Sequence, residues 1–212
     1  PFGLCVSSDD DVGVVDTNNN RVAIFKPNQA DISFNFVNYT ASSTPYLVDC
    51  IFDNSKNLYV SDLYNNSIVK FSFDLETFYV STTNVIVSSD KVTAPWGLMS
   101  YENDIFVVEK SKGQVSVFDL NGQLKRTIGS IGSGDFKLQE PRYLTIDSDK
   151  RIYISDSATN DIEIFDLQGN GVGGFGTTGE DSGEFKMPRG LAVYGLNLFV
   201  IDQTNNRIQI FK

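Results

Sequence analysis

Five prolines set the period of this chain. Pro1-Phe2-Gly3-Leu4, Pro45-Tyr46-Leu47-Val48, Pro95-Trp96-Gly97-Leu98, Pro141-Arg142-Tyr143-Leu144 and Pro188-Arg189-Gly190-Leu191 open successive segments, spaced 44, 50, 46 and 47 residues apart. After each comes a second strand ending in an acid (Asp16, Asp62, Glu109, Asp156, Asp202) and a third ending in phenylalanine (Phe25, Phe71, Phe118, Phe165, Phe211). Self-similarity at such a period belongs to solenoids and propellers.

Strand content separates those two. Repeat four reads Leu144-Thr145-Ile146-Asp147, Arg151 to Asp156, Asp161 to Phe165, then a glycine-rich stretch from Gly171 to Phe175. These are short alternating runs parted by turn residues, and no window of a dozen residues carries helical periodicity. Four short antiparallel strands per repeat are the content of a propeller blade. The reading is an all-β propeller of five blades, approximately 1–44, 45–94, 95–140, 141–187 and 188–212, in one domain, the last blade three-stranded because it stops at Phe211-Lys212. Part of a six-bladed or larger assembly is the expectation that follows, since an open blade edge invites association.

The chain resembles NHL-repeat β-propellers. That family carries a proline-x-glycine-aliphatic opening, a valine-x-aspartate second strand, an asparagine-x-arginine turn and a third strand ending in an aromatic. Repeat five matches best with Pro188-Arg189-Gly190-Leu191, Val200-Ile201-Asp202 and Asn205 to Phe211, and repeat one is close with Val14-Val15-Asp16 and Asn19-Asn20-Arg21. The stretches Ile128 to Phe136 and Phe175 to Phe185 look like the family's glycine-rich crossovers. The arginine is replaced by Ser67, Gln114 and Asp161 in repeats two to four, and repeat three turns through Lys110-Ser111-Lys112-Gly113. Such uneven loss marks a turn element in which Asn or Asp caps its own backbone and Arg pairs with the acid of a neighbouring repeat. The five phenylalanines are expected in the core between blades.

Charge and composition narrow the function. With 17 basic and 27 acidic side chains, a net charge of −10 and a pI near 4.4, nucleic acid is a disfavoured partner. Residues 1–106 hold 5 basic and 13 acidic groups, which suits solubility or a basic partner. There is no histidine, which removes the imidazole base, the Ser-His-Asp triad and the usual zinc site. The expectation is therefore no enzyme and no cofactor. Asp9-Asp10-Asp11 reads as a solvated hairpin turn rather than a calcium loop.

No apolar run approaches the ~20 residues that span a bilayer, so no membrane insertion is expected. The sequons Asn38-Tyr39-Thr40 and Asn65-Asn66-Ser67 are candidate glycosylation sites. Together with the Ser, Thr and Asn content they point to an extracellular or cell-surface protein. Cys5 and Cys50 stand four and five residues after their repeat prolines, which leaves two alternatives, buried free thiols and a disulfide. The one-residue offset matters because side chains alternate faces along a strand, and buried free thiols are the preferred reading.

The resemblance also implies a site. In this family the residue after each repeat proline looks out at the mouth of the central channel, and here those residues are Phe2, Tyr46, Trp96, Arg142 and Arg189. Aromatics and arginines are the side chains enriched at interface hot spots. The expected function is an interaction module that presents this face to a protein, peptide or glycan. The alternative is a structural subunit completed by strand exchange with a neighbour.

Overall fold

A computed structural model describes residues 1–26, 32–35, 44–73 and 80–212, the strand at 32–35 by its backbone alone. Among these residues the regular structure is nineteen strands and two one-turn 3-10 helices. The strands form five antiparallel sheets, each built from strands consecutive in the chain, the last of three strands and the others of four. The fold is a five-bladed β-propeller, as expected.

Blade 1 holds β1 (Leu4–Val6), β2 (Val12–Asp16), β3 (Arg21–Phe25) and β4 (Ile32–Asn35), and blade 2 holds β5 (Leu47–Phe52), β6 (Leu58–Asp62), β7 (Ser67–Phe73) and β8 (Val80–Val87). Blade 3 is β9 (Pro95–Tyr101), β10 (Asp104–Glu109), β11 (Gln114–Asp119) and β12 (Leu124–Ile128). Blade 4 is β13 (Pro141–Ile146), β14 (Ile152–Asp156), β15 (Asp161–Phe165) and β16 (Gly171–Phe175), and blade 5 is β17 (Pro188–Tyr194), β18 (Asn197–Asp202) and β19 (Arg207–Phe211). Two compact units result, Pro1–Phe106 with Phe118–Leu124, and Val107–Val117 with Lys125–Lys212.

The turn into each third strand explains the repeated asparagine. Asn20, Asn66, Asn160 and Asn206 have φ of 52°, 48°, 61° and 52°, and Gly113 stands at the same place with φ 57°. Left-handed backbone costs most L-residues about 1–2 kcal/mol, whereas glycine and asparagine tolerate it. Repeat three therefore keeps the turn while losing the asparagine.

The acid that ends each second strand closes the same turn. Asp62, Glu109, Asp156 and Asp202 are completely buried. Asp62 accepts the Tyr46 N–H at 3.0 Å, Asp156 the Glu140 N–H at 3.0 Å and Asp202 the Lys186 N–H at 2.8 Å. Where arginine is present it pairs within its own repeat, Arg21 with Asp16 and Arg207 with Asp202, each at 2.8 Å. This corrects the expected pairing between repeats. The register puts Asp16 opposite Arg21 and Asp202 opposite Arg207 on one rung, so the two side chains share a face. In repeats two and three Asn65 and Gln114 donate to the acid instead.

The core lies between successive blades. In the first unit Val15, Val22 and Ile24 of blade 1 meet Leu58, Val60, Val69 and Phe71 of blade 2. In the second unit Tyr153 and Ile162 of blade 4 meet Leu198 and Val200 of blade 5, with Phe175 and Phe211 packed against them. Phe71 and Phe211 thus face the preceding blade. Phe71, Phe118 and Phe165 are buried as expected, but Phe25 is 37% exposed and Phe211 only half-buried. The reason for Phe25 is that no described blade of its unit covers that face of blade 1. The opposite face shows the same logic: Val15, Val22 and Ile24 are fully buried, whereas their blade 5 equivalents Ile201, Ile208 and Ile210 are 46%, 63% and 61% exposed.

Cys5 and Cys50 form a disulfide, with Cα atoms 5.6 Å apart, so the preference for free thiols is corrected. Adjacent blades stack face to face, one presenting its far side and the next its near side. Residues that meet across the stack must therefore differ in strand parity. By register Cys50, opposite Val60, stands one place before Cys5, opposite Gly13, and this difference in parity brings the sulfurs together.

Two measurements test this packing. Phe71→Ala should cost about 3–5 kcal/mol in urea unfolding, while Phe25→Ala should cost clearly less because its ring already meets solvent; equal losses would contradict the assignment. Reduction of a bridge that closes 45 residues should remove about 4 kcal/mol of stability on the chain-entropy account. An unchanged melting temperature in reductant would refute that.

Candidate functional site

In the first unit the structure gathers the expected aromatics and adds one. Phe2 lies 6.0 Å from Tyr46 and edge-on to Trp96 at 6.3 Å, and Tyr46 stacks on Tyr64 at 4.6 Å with planes 29° apart. Such offset and edge-on pairs are the geometries that ring quadrupoles favour. Trp96 is 7% exposed, Tyr46 half-buried, Phe2 42% and Tyr64 62% exposed. The inner two rings support the outer two.

Tyr64 escapes sequence reasoning that looks only beside the prolines. Its signal is an aromatic in a turn where the other repeats carry Asn18, Ser111, Ala158 and Thr204. Tyr46, conversely, is not equivalent to its supposed partners. The register pairs Leu47 with Asp62, Pro141 with Asp156 and Pro188 with Asp202. Pro45 thus lies two residues early, and the counterpart of Arg142 and Arg189 in blade 2 is Val48, fully buried. Tyr46 matches Glu140, and the N–H of each donates to its repeat acid.

The arginines belong to the second unit. Arg142 is 5% exposed and donates from Nη2 to Glu140 Oε1 at 3.0 Å, the same oxygen that Lys110 Nζ reaches at 2.6 Å. Burial lowers the Arg142 pKa, Glu140 raises it again and the neighbouring Arg189 charge lowers it further. Burial also pushes the Glu140 carboxyl up, but Lys110 and Arg142 outweigh it and hold the group below the usual range.

Serines fix the backbone beneath these side chains. Ser61 Oγ donates to the Trp96 carbonyl at 2.7 Å and accepts the Asp49 N–H at 3.0 Å. Ser155 Oγ donates to the Arg189 carbonyl at 2.7 Å and accepts the Tyr143 N–H at 3.2 Å. Both stand just before the repeat acid, so one position ties a blade to the next. Asp49 adds a second tie, accepting the Leu98 N–H at 2.8 Å.

The other candidates are not assembled into a site. Asn38 lies outside the described residues. At Asn65 the amide nitrogen that a glycan would occupy donates to Asp62 at 2.7 Å. Of the three consecutive aspartates, Asp9 pairs with Lys56 and Asp11 is buried, and no metal-binding cluster occurs among the described residues. A cavity of about 890 Å³ in the second unit is lined by Tyr153, Phe175, Leu196 and Phe211 rather than by the arginines. No helix among the described residues is long and apolar enough to cross a membrane.

Comparison with known proteins supports the resemblance. A family model described as NHL repeat matches residues 1–25, the first three strands. No curated protein matches the chain in sequence. In fold, the chain is similar to selenomethionine-substituted virginiamycin B lyase from Staphylococcus aureus, at 16% identity over 100% of this chain and 69% of that one, with a TM-score of 0.70. It is similar to a streptogramin B lyase at 15% identity, over 100% and 68% of the two chains, with a TM-score of 0.71. A nidogen/laminin complex matches at 14% identity, over 99% and 74%, with a TM-score of 0.77. At these identities the likeness is one of fold. It nevertheless corrects the expectation of no enzyme, because lyases are built on a similar fold. The missing histidine removes imidazole chemistry and does not remove catalysis.

The buried Asp49 gives a pH test of the aromatic face. Burial pushes its carboxyl up to about 7, against the pull of the Leu98 and Cys50 N–H groups. The folded state then holds its proton more tightly than the unfolded chain, so its contribution to stability is present at acid pH and is lost as pH rises through 7. Asp49→Asn should flatten the decline in stability between pH 4 and 7 relative to the parent protein. Parallel stability curves for the two would overturn the assignment.

Proposed function

We propose that the protein is an interaction module that binds a protein or peptide segment, with the ring cluster of Phe2, Tyr46, Tyr64 and Trp96 carrying the contacts. One observation supports this above others: Phe2 and Tyr64 hold two large rings in solvent at 42% and 62% exposure, braced by Tyr46 and Trp96. Rings supported in this way lose little side-chain entropy on binding, and exposed clusters of them mark interaction surfaces. Residues 1–106 carry 13 acidic and 5 basic groups. Such a surface favours a segment with apolar and cationic side chains, which ring faces also attract. A propeller in the nidogen/laminin complex sits in an assembly with another protein, and the same use fits here. The setting we propose is outside the cell, where a disulfide such as Cys5–Cys50 persists.

Trp96 is the sole tryptophan and reports directly on the cluster. Titration with a leucine-arginine peptide should shift its fluorescence, a leucine-glutamate peptide of equal length should bind more weakly, and Phe2→Ala with Tyr64→Ala should weaken the first by about tenfold or more. No response to either peptide, or an unchanged affinity in the double variant, would overturn the reading.

A further inference from the structure

We propose that the cavity between blades 4 and 5 is a binding site for an uncharged aromatic small molecule. Its volume of about 890 Å³ falls within the about 300–1,000 Å³ typical of sites that enclose small ligands. Both blades give it an apolar wall, Tyr153, Ile164 and Phe175 from blade 4 and Val193, Leu198 and Phe211 from blade 5. The Phe175 and Phe211 rings lie 4.8 Å apart with planes tilted by 54°, so an aromatic guest meets both ring faces and ring edges. One glycine keeps the space open. Gly173 pairs with Ile164 and shares its face, and Ile164 packs toward Leu198 and Val200 of blade 5. Within 4 Å a Cβ at Gly173 would meet only Ile164 Cδ1, at 3.9 Å, so a side chain is sterically admissible there and none is present.

The rim selects against ions. Arg151 Nε donates to Asp147 at 2.7 Å and its Nη2 to Asp149 at 3.2 Å, while the Tyr153 hydroxyl donates to the same Asp147 oxygen at 3.1 Å. The guanidinium also lies 5.9 Å from the centroid of the Tyr153 ring. These charges are satisfied by one another, and Lys212, the remaining cation of the lining, is exposed to water that screens it. Asp147 and Asp149 thus balance Arg151 and Lys212. A charged ligand would lose its hydration against the rings without gaining a buried counter-charge. Ser148 and Asn197 add uncharged hydrogen-bonding groups to the lining, enough to orient a neutral ligand.

The test uses two fluorescent probes with one skeleton, neutral N-phenylnaphthylamine and the anionic anilinonaphthalene sulfonate, both of which brighten in apolar surroundings. The neutral dye should bind saturably, and the sulfonate about tenfold more weakly or worse. Gly173→Leu fills the space beside Ile164, and Leu196→Asp puts a charge on the lining. Each should weaken the neutral dye by about tenfold or more, whereas Val172→Leu, an exposed position on the same strand, should change it less than about twofold. Leu196 is 86% exposed, so its substitution spares the fold and carries the comparison alone if Gly173→Leu does not fold. No saturation, equal affinity for the sulfonate, or undiminished affinity in either folded cavity variant would overturn the site.

Discussion

Everything distinctive in this fold hangs on the carboxylate that ends each second strand, completely buried in blades 2 to 5. In blades 2 and 4 the acid at the end of the second strand lies where the chain turns and where the first strand of the same blade begins, and it collects N–H groups from both. Asp156 takes those of Glu140 and Ala158, each at 3.0 Å, and Asp202 takes that of Lys186. A buried charge is tolerable only when it is richly hydrogen-bonded. The surrounding backbone supplies those bonds, and in return its own buried donors are met. The turn, the left-handed residue after it and the start of the inner strand are thereby set together.

Above that scaffold the blades differ by what stands beside the proline. Ser61 and Ser155 hold the following inner strand by its carbonyl. The side chain at that same residue is then free to vary. Trp96 and Arg189 share this support and differ wholly in chemistry, which is how a regular array acquires an aromatic cluster in one unit and an arginine pair in the other.

The fold was legible because a repeat writes its pattern five times. Period, strand alternation, acid and phenylalanine each recur, so errors at one copy are outvoted by the rest. What was not legible depended on relations between strands. The pairing of Arg21 with Asp16 is a matter of register, invisible in a linear motif. The extra residues after Pro45 displaced Tyr46 from the ring to which spacing had assigned it. Tyr64 lay in a turn, where polarity rather than aromaticity is the usual guide. The cysteine offset was read along one strand, when the contact lies across two facing sheets. Exposure of Phe25 follows from which blade face has a neighbour, and that too is a three-dimensional fact.

The closure of each turn by its own repeat has a consequence for how such a chain changes over time. Because Arg21 answers to Asp16 and Arg207 to Asp202, loss of the arginine in a middle repeat leaves no partner stranded in the next. Asn65, Gln114 and Thr159 show three local repairs, the last by donating to Asp161 at 2.6 Å. Copies joined by reciprocal ion pairs would have to mutate in step. Here each ion pair can be lost alone, while Arg207 also holds the Glu180, Asp181 and Glu184 carbonyls of the preceding crossover and the serines still tie blade to blade.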